Sequence, residues 1–188
     1  MLNRQSGTSM VEVLVSIVIV VLGLLGLAGL QSHAALAQAE AFQRAQAIVL
    51  LQDMTDRLNA NRNTAYTFIT SQALGTGIAA EDCTLKTGVA RDKCEWSNAL
   101  VGASESAGGV KVGAMTDARG CITRTVATKP EVYEIAVVWQ GVTPSKAPAT
   151  ACGQTLYGTD ERFRRALVAT VRIACLFNNN TTGVCLYP

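Results

Sequence analysis

From Val13 to Leu30 the chain carries no charged side chain, and Val, Leu and Ile dominate. Roughly 18 to 20 apolar residues are enough for a helix to span a hydrocarbon core. One carboxylate, Glu12, stands at the start of the run, five residues after Gly7. An ionisable group at the edge of a membrane-length helix is expensive and usually paired.

Charge placement orients the segment. The leader Met1 to Gly7 carries Arg4 and the α-amino group, and no Lys or Arg follows until Arg44. That asymmetry predicts a cytoplasmic N-terminus and a translocated C-terminal body. Three readings follow. A cleaved secretory signal would have a shorter apolar core and a small-residue cleavage site after it; here "LAGLQSHAALAQAEAF" runs on into helix-forming sequence without a break. A plain membrane anchor leaves Glu12 unexplained. Cleavage on the cytoplasmic side, before the apolar run, accounts for both Gly7 and Glu12. Independently, Ser9-x-x-Glu12 is a possible capping box at the helix start, and an acid there suits the positive end of the helix dipole.

"SGTSMVEVLVSIVIVVLGLLGLAGLQ" resembles the N-terminus of a type IV prepilin: a short basic leader ending in Gly, a Glu at the fifth mature position, and an unbroken apolar helix. Together with "YEIAVVWQG" and "ACGQTLYGTDERFRR", it resembles minor pilins of the PilV type. The resemblance covers most of the chain, with about residues 64 to 118 least matched. It implies that prepilin peptidase cuts between Gly7 and Thr8 and that the new amine of Thr8 is N-methylated. It also implies that Glu12 pairs with such an amine during subunit assembly. Thr8 departs from the Phe usual at that position. The helix-breaking Pro common near Gly29 in major pilins is absent as well, so Gly23, Gly26 and Gly29 are the candidates for a weak point in the helix.

Beyond Leu30 the sequence remains helix-compatible to about Asn61. Ile48, Leu51, Met54 and Leu58 recur at spacings of three and four, giving an apolar stripe, with Gln52, Asp53, Asp56 and Arg57 opposite. Residues 64 to 120, including "LGTGIAAEDC" and "GASESAGG", read as loop with short elements. Strand signals follow in "CITRTV", in "VYEIAVVW" with Tyr133, Ile135, Val137 and Trp139 on one face, and in "RRALVATVRIAC" with Leu167, Ala169, Val171, Ile173 and Cys175 alternating. The expected fold class is therefore α+β: a long N-terminal α-helix, membrane-spanning in its first half, packed on an antiparallel sheet with one face buried. The resemblance implies that this is the type IV pilin fold. The expected divisions are a cleaved leader (1–7), a transmembrane and assembly half of the helix (8–30), an amphipathic half (31–62) and a periplasmic head (63–188).

Six cysteines in a chain of 188 residues point to an oxidising compartment. They are Cys83, Cys94, Cys121, Cys152, Cys175 and Cys185. Neighbour-to-neighbour pairing is the simplest of the many possible, with the second bridge linking the strands that flank "VYEIAVVW"; free buried thiols are the alternative. The resemblance implies that the loop "LFNNNTTGV" matches the disulfide-closed C-terminal region of pilins. There is no Cys-x-x-Cys, and the one histidine, His33, sits beside the apolar run, so no metal site is expected. No nucleophile elbow or phosphate loop is present, so no enzyme and no cofactor are expected. A net charge of +2 excludes a strongly basic nucleic-acid binder. The Arg162, Arg164, Arg165 cluster reads as a solvated strand start, with DNA or an anionic partner as the other reading.

The resemblance implies a minor pilin stored in the inner membrane and then incorporated in the fibre. It implies a priming complex with other minor and major pilins, supported by the inner-membrane assembly machinery, for pilus display, adhesion or motility. A type II secretion pseudopilin and a membrane-anchored periplasmic binding protein are the alternatives. Non-reducing peptide mapping is expected to return Cys83–Cys94, Cys121–Cys152 and Cys175–Cys185; a free thiol after denaturation would reject three bridges.

Overall fold

The computed structural model describes residues 9–102, 106–107, 110–111, 115–128, 130–174, 177–178 and 185–186. The chain divides into two compact units, Met1–Ala41 and Phe42–Pro188. A helix, α1, covers Met10–Ala60 and so supplies the described part of the first unit and the opening of the second. It runs through Gly23, Gly26 and Gly29 as continuous α-helix.

In the second unit, α1 is amphipathic. Ala47, Met54 and Leu58 are fully buried, and Leu50 and Leu51 pack beside them. The expected stripe is thus rotated at its N-terminal end: Ile48 is half exposed, and Ala47 takes its place. Positions 47, 51, 54 and 58 form one i, i+4, i+7, i+11 track, and each step to the next residue turns about 100° around the axis.

α1 leads into a 3₁₀ segment, Arg62–Phe68, whose Phe68 is buried. Two-residue β1 (Leu74–Gly75) and helix α2 (Gly88–Leu100) follow, then the short hairpin of β2 (Ser106–Ala107) and β3 (Val110–Lys111). Three longer elements are β4 (Arg119–Val126), β5 (Glu131–Gln140) and β6 (Arg164–Ile173). β7 (Phe177–Asn178) and β8 (Cys185–Leu186) pair antiparallel. The main sheet has the order β1-β4-β5-β6, antiparallel throughout. β5 and β6 pair over ten residues each without a register shift, from Glu131↔Ile173 to Gln140↔Arg164.

The inner sheet face is the alternating set expected from sequence: Tyr133, Ile135, Val137 and Trp139 from β5, with Ile122, Val171 and Ile173 from its neighbours. These residues form one cluster with Met54 and Leu58 of α1, so the helix packs on the antiparallel sheet. The expectation of a single buried face needs correction. Ala136 and Val138, pointing the other way, are buried too, in a second cluster with Cys152 and Tyr157. The β5–β6 connection folds back over the outer face and covers them.

The reading of residues 64 to 120 as loop with short elements needs refining, because one element inside that stretch, α2, is a 13-residue helix packed in the core. Its helical signal is sparse: Val89, Trp96 and Leu100 supply the apolar contacts, and its Thr87 cap makes no side-chain bond to the helix amides. Tertiary contact supplies the rest. The Trp96 side chain is fully buried, and its indole N–H donates to the Leu50 carbonyl of α1 at 2.9 Å. Its ring rests on the bare backbone of Gly120 in β4, where an added Cβ would lie 2.1 Å from the ring edge. β1 is tied to α2 as well: Gly75 donates its N–H to the Ser97 hydroxyl at 3.1 Å. Gly75 holds φ at +98°, and a Cβ there would meet the Ala118 carbonyl at 2.6 Å. Gly120→Ala is therefore expected to lower head stability by about 1–3 kcal/mol through overpacking, read as a lower denaturant midpoint by tryptophan fluorescence. An unchanged midpoint would show that the ring does not need the glycine socket.

Candidate functional site

In the first unit, every Val, Leu and Ile from Val11 to Leu30 is exposed, Val21 least at 47% and Leu30 most at 70%. Among the described residues this is the one helix long and apolar enough to cross a membrane, judged by length and composition. Each such side chain gains about 1.5–3 kcal/mol when removed from water, so the segment requires a cover of lipid or partner helices. Polar groups at its start are satisfied locally. The Glu12 N–H donates to the Ser9 carbonyl at 3.0 Å and lies 3.3 Å from the Ser9 hydroxyl, while the Ser16 hydroxyl donates to the Glu12 carbonyl at 2.7 Å. Ser9 thus supplies its side of the capping box. The Glu12 side chain is exposed in the first helical turn. Gly7 and Thr8 lie outside the described residues. His33 is exposed on α1.

In the second unit, Cys83–Cys94 and Cys121–Cys152 are disulfides, each with Cα atoms 5.8 Å apart. The first joins the 81–87 loop to α2. That loop is also clamped by Asn98, which accepts from the Glu81 N–H at 3.2 Å and donates to the Glu81 carbonyl at 2.7 Å. The second bridge differs from the expectation that it links two strands. Cys121 is on β4, but Cys152 lies in the β5–β6 connection, so the bridge staples a loop across the outer sheet face. Cys175 and the Cys185 side chain lie outside the described residues; the β7–β8 register places the Cys185 backbone opposite Asn178.

Within the arginine cluster Arg162 is solvated, as expected, but Arg164 is not. Arg164 is only 2% exposed. Its guanidinium donates to the Thr150 carbonyl at 2.8 Å, the Cys152 carbonyl at 2.9 Å and the Pro148 carbonyl at 3.4 Å, and it pairs with Glu161. Arg162 is held by Asp160, and Arg165 donates to the Ser145 hydroxyl and the Arg162 carbonyl. Arg164 thereby organises the β5–β6 connection. Tyr157 completes the arrangement. Its hydroxyl donates to the Asp117 carbonyl at 2.8 Å, burial pushes its phenol up to about 12, and the Arg119 guanidinium sits 5.0 Å from its ring centre.

A second network joins the two helices. Arg57 of α1 bonds Asp53 at 3.0 Å, then reaches Asp92 and Glu95 of α2 at 2.8 Å each, while Arg91 bonds Glu95 at 2.6 Å. Burial opposes the Arg57 charge, yet the bonds to Glu95, Asp53 and Asp92 raise its pKa overall. The bonds from Arg91 and then Arg57 lower that of Glu95. Asp53 and Arg57 are therefore not on a purely solvated face. Each helix shows one i, i+4 ion-pair spacing in sequence, Asp53–Arg57 in α1 and Arg91–Glu95 in α2, and the second lies in the stretch read as loop with short elements.

The first unit thus exposes an apolar helix, while the second is braced from within by its own disulfides and ion pairs. Residues 29–100 match the family model described as "Tt1218-like: Type IV pilin Tt1218". No curated protein and no solved structure matches the chain. The matched span is less than half of the chain. It takes in α2 and part of the stretch where the resemblance read from sequence is weakest, and it supports a type IV pilin. The α+β architecture, a long N-terminal helix on a four-stranded antiparallel sheet, is that of the type IV pilin fold.

Arg164→Met is expected to destabilise the head by about 3 kcal/mol at neutral pH, since Glu161 and three carbonyls lose their partner in a buried site. The Thr155 N–H and then Arg164 hold the Glu161 carboxyl below its ordinary value. That stabilisation is complete above about pH 4.3, the unfolded carboxylate range, and disappears as the pH falls through the folded value. Denaturant titrations at several pH values should show the gap between parent and variant narrowing on acidification. Equal stabilities at neutral pH would refute the staple.

Proposed function

We propose that the protein is a minor pilin of the PilV type. It is held in the inner membrane by the first half of α1, with the head in the periplasm, and passes into the fibre with other minor and major pilins. The observation that carries this reading is the exposed apolar run from Val13 to Leu30 with one carboxylate, Glu12, at its start, five residues after Gly7. The family match over residues 29–100 supports its coarser part, a type IV pilin.

Prepilin peptidase removes residues 1–7, leaving Thr8 as the N-terminus and the substrate for N-methylation. In the membrane, lipid covers Val11 to Leu30. In the fibre, helices of neighbouring subunits replace lipid, so the hydrophobic term changes little between the two states. What favours the fibre is then polar: a carboxylate that is costly in hydrocarbon meets the positive amine of a neighbour's Thr8. The pair sets axial register, because an unpaired charge in an apolar bundle costs several kcal/mol.

Intact-mass analysis of chain purified from membranes is expected to show Thr8 as the first residue; a retained Met1–Gly7 leader would sink the reading. Glu12→Ala is expected to be cleaved normally yet scarce in sheared fibres, and recovery equal to the parent would remove the pairing role. Association with secretion-system subunits in place of pilus subunits on crosslinking would transfer the same helix logic to a pseudopilin.

A further inference from the structure

The sheet face turned away from α1 carries a groove of about 390 Å³, bounded by residues 70–73, β4, β5 and the 150–156 loop. A volume of that order suits a small ligand or a single side chain. Its wall is built rigidly. Arg164 gathers the carbonyls of Pro148, Thr150 and Cys152 from behind, and the Cys121–Cys152 bridge ties the same loop to β4. The Thr150 hydroxyl accepts from the Cys152 N–H at 3.3 Å and donates to Glu134 at 3.3 Å, which leaves it one lone pair as an acceptor.

Glu134 is the acid of the groove, half-buried on the outer face of the central strand. Among the described residues Thr150 is its hydrogen-bond partner, and no cation pairs with it. Arg172, two residues beyond its cross-strand partner Thr170, makes no ion pair with it. Directly opposite Glu134 on β4 stands Thr123. One carboxylate and two hydroxyls therefore face one space. The floor beside them is apolar, made by Ala73, Ala136, Leu156 and the disulfide.

We propose that this groove binds a primary alkylammonium group, the chemistry of a lysine side chain. The ammonium donates its three N–H bonds to the Glu134 carboxylate and the Thr123 and Thr150 hydroxyls, and its methylene stem lies on the apolar floor. The donor count decides among cations. An ammonium has three divergent N–H groups, which match three separate acceptors, whereas a guanidinium presents a planar fork suited to a bidentate partner. A quaternary ammonium calls for aromatic faces, and among the described residues no aromatic lines the groove. An anion would be repelled by Glu134.

The test uses the full chain in neutral detergent micelles, with isotope-labelled amides followed by nuclear magnetic resonance. The probes are N-acetyl-lysine methylamide, its side-chain-acetylated counterpart, and 5-aminopentanol. The expected result is saturable shifts at Thr123, Ala136 and Thr150 with the first probe, at a Kd on the order of millimolar. The acetylated probe should give none, and Glu134→Gln should weaken binding by about tenfold or more. Tighter binding of the lysine derivative than of aminopentanol assigns the site to a polypeptide lysine; equal binding assigns it to free amines. Shifts that are absent, insensitive to charge, or unchanged in Glu134→Gln overturn the proposal. Should Glu134→Gln lose the parent's dispersed spectrum, Thr123→Val provides the same readout, and undiminished binding there overturns it as well.

Discussion

The head depends on the seat of one indole. Trp96 lies between α1 and β4, with its N–H on the Leu50 carbonyl and its ring on the backbone of Gly120. A helix carbonyl that already serves its own ladder accepts this second bond, so the contact adds a directional tie to the apolar burial around it. The ring can approach the strand only because residue 120 has no side chain. The same placement brings Ser97 to Gly75 and Leu100 into the core, so β1 joins the sheet edge through α2. Arg57 then locks α2 to α1 through Asp92 and Glu95. A short helix with little intrinsic signal is held at several points.

Charge in the head is spent mostly on holding the chain to itself. Arg164 organises three carbonyls and Glu161 across a connection without regular structure. Such a loop has many backbone acceptors and few ladders to satisfy them, and a buried guanidinium with a fixed fork meets that need. Together with Cys121–Cys152 and Tyr157, it turns the β5–β6 connection into a lid on the outer sheet face, buries Ala136 and Val138, and shapes the groove at Glu134.

The two units are therefore opposite in character. In the first, apolar side chains from Val11 to Leu30 are uncovered and polar groups are satisfied within the helix. In the second, most large apolar side chains of the sheet and of α2 are enclosed in two clusters, and ion pairs brace the elements around them. The unbroken α1 from Met10 to Ala60 carries the sequence from one to the other.

Local periodicity determined a good deal on its own. The apolar run and Glu12, the helix to about residue 60, and the inward set Tyr133, Ile135, Val137 and Trp139 were legible because each is a pattern written in consecutive residues with period 3.6 or 2. The neighbouring pairs Cys83–Cys94 and Cys121–Cys152 close loops short enough to be natural partners. Tertiary structure alone decided the rest. That Ala47 replaces Ile48 at the interface depends on which side of α1 meets the sheet, and that Trp96 makes α2 a core element depends on a glycine 24 positions away. Whether Arg164 is solvated or buried depends on the path of a loop whose residues show no period at all. These are contacts between segments distant in sequence, set by shape and by the need to satisfy buried polar groups, and no window along the chain contains both partners.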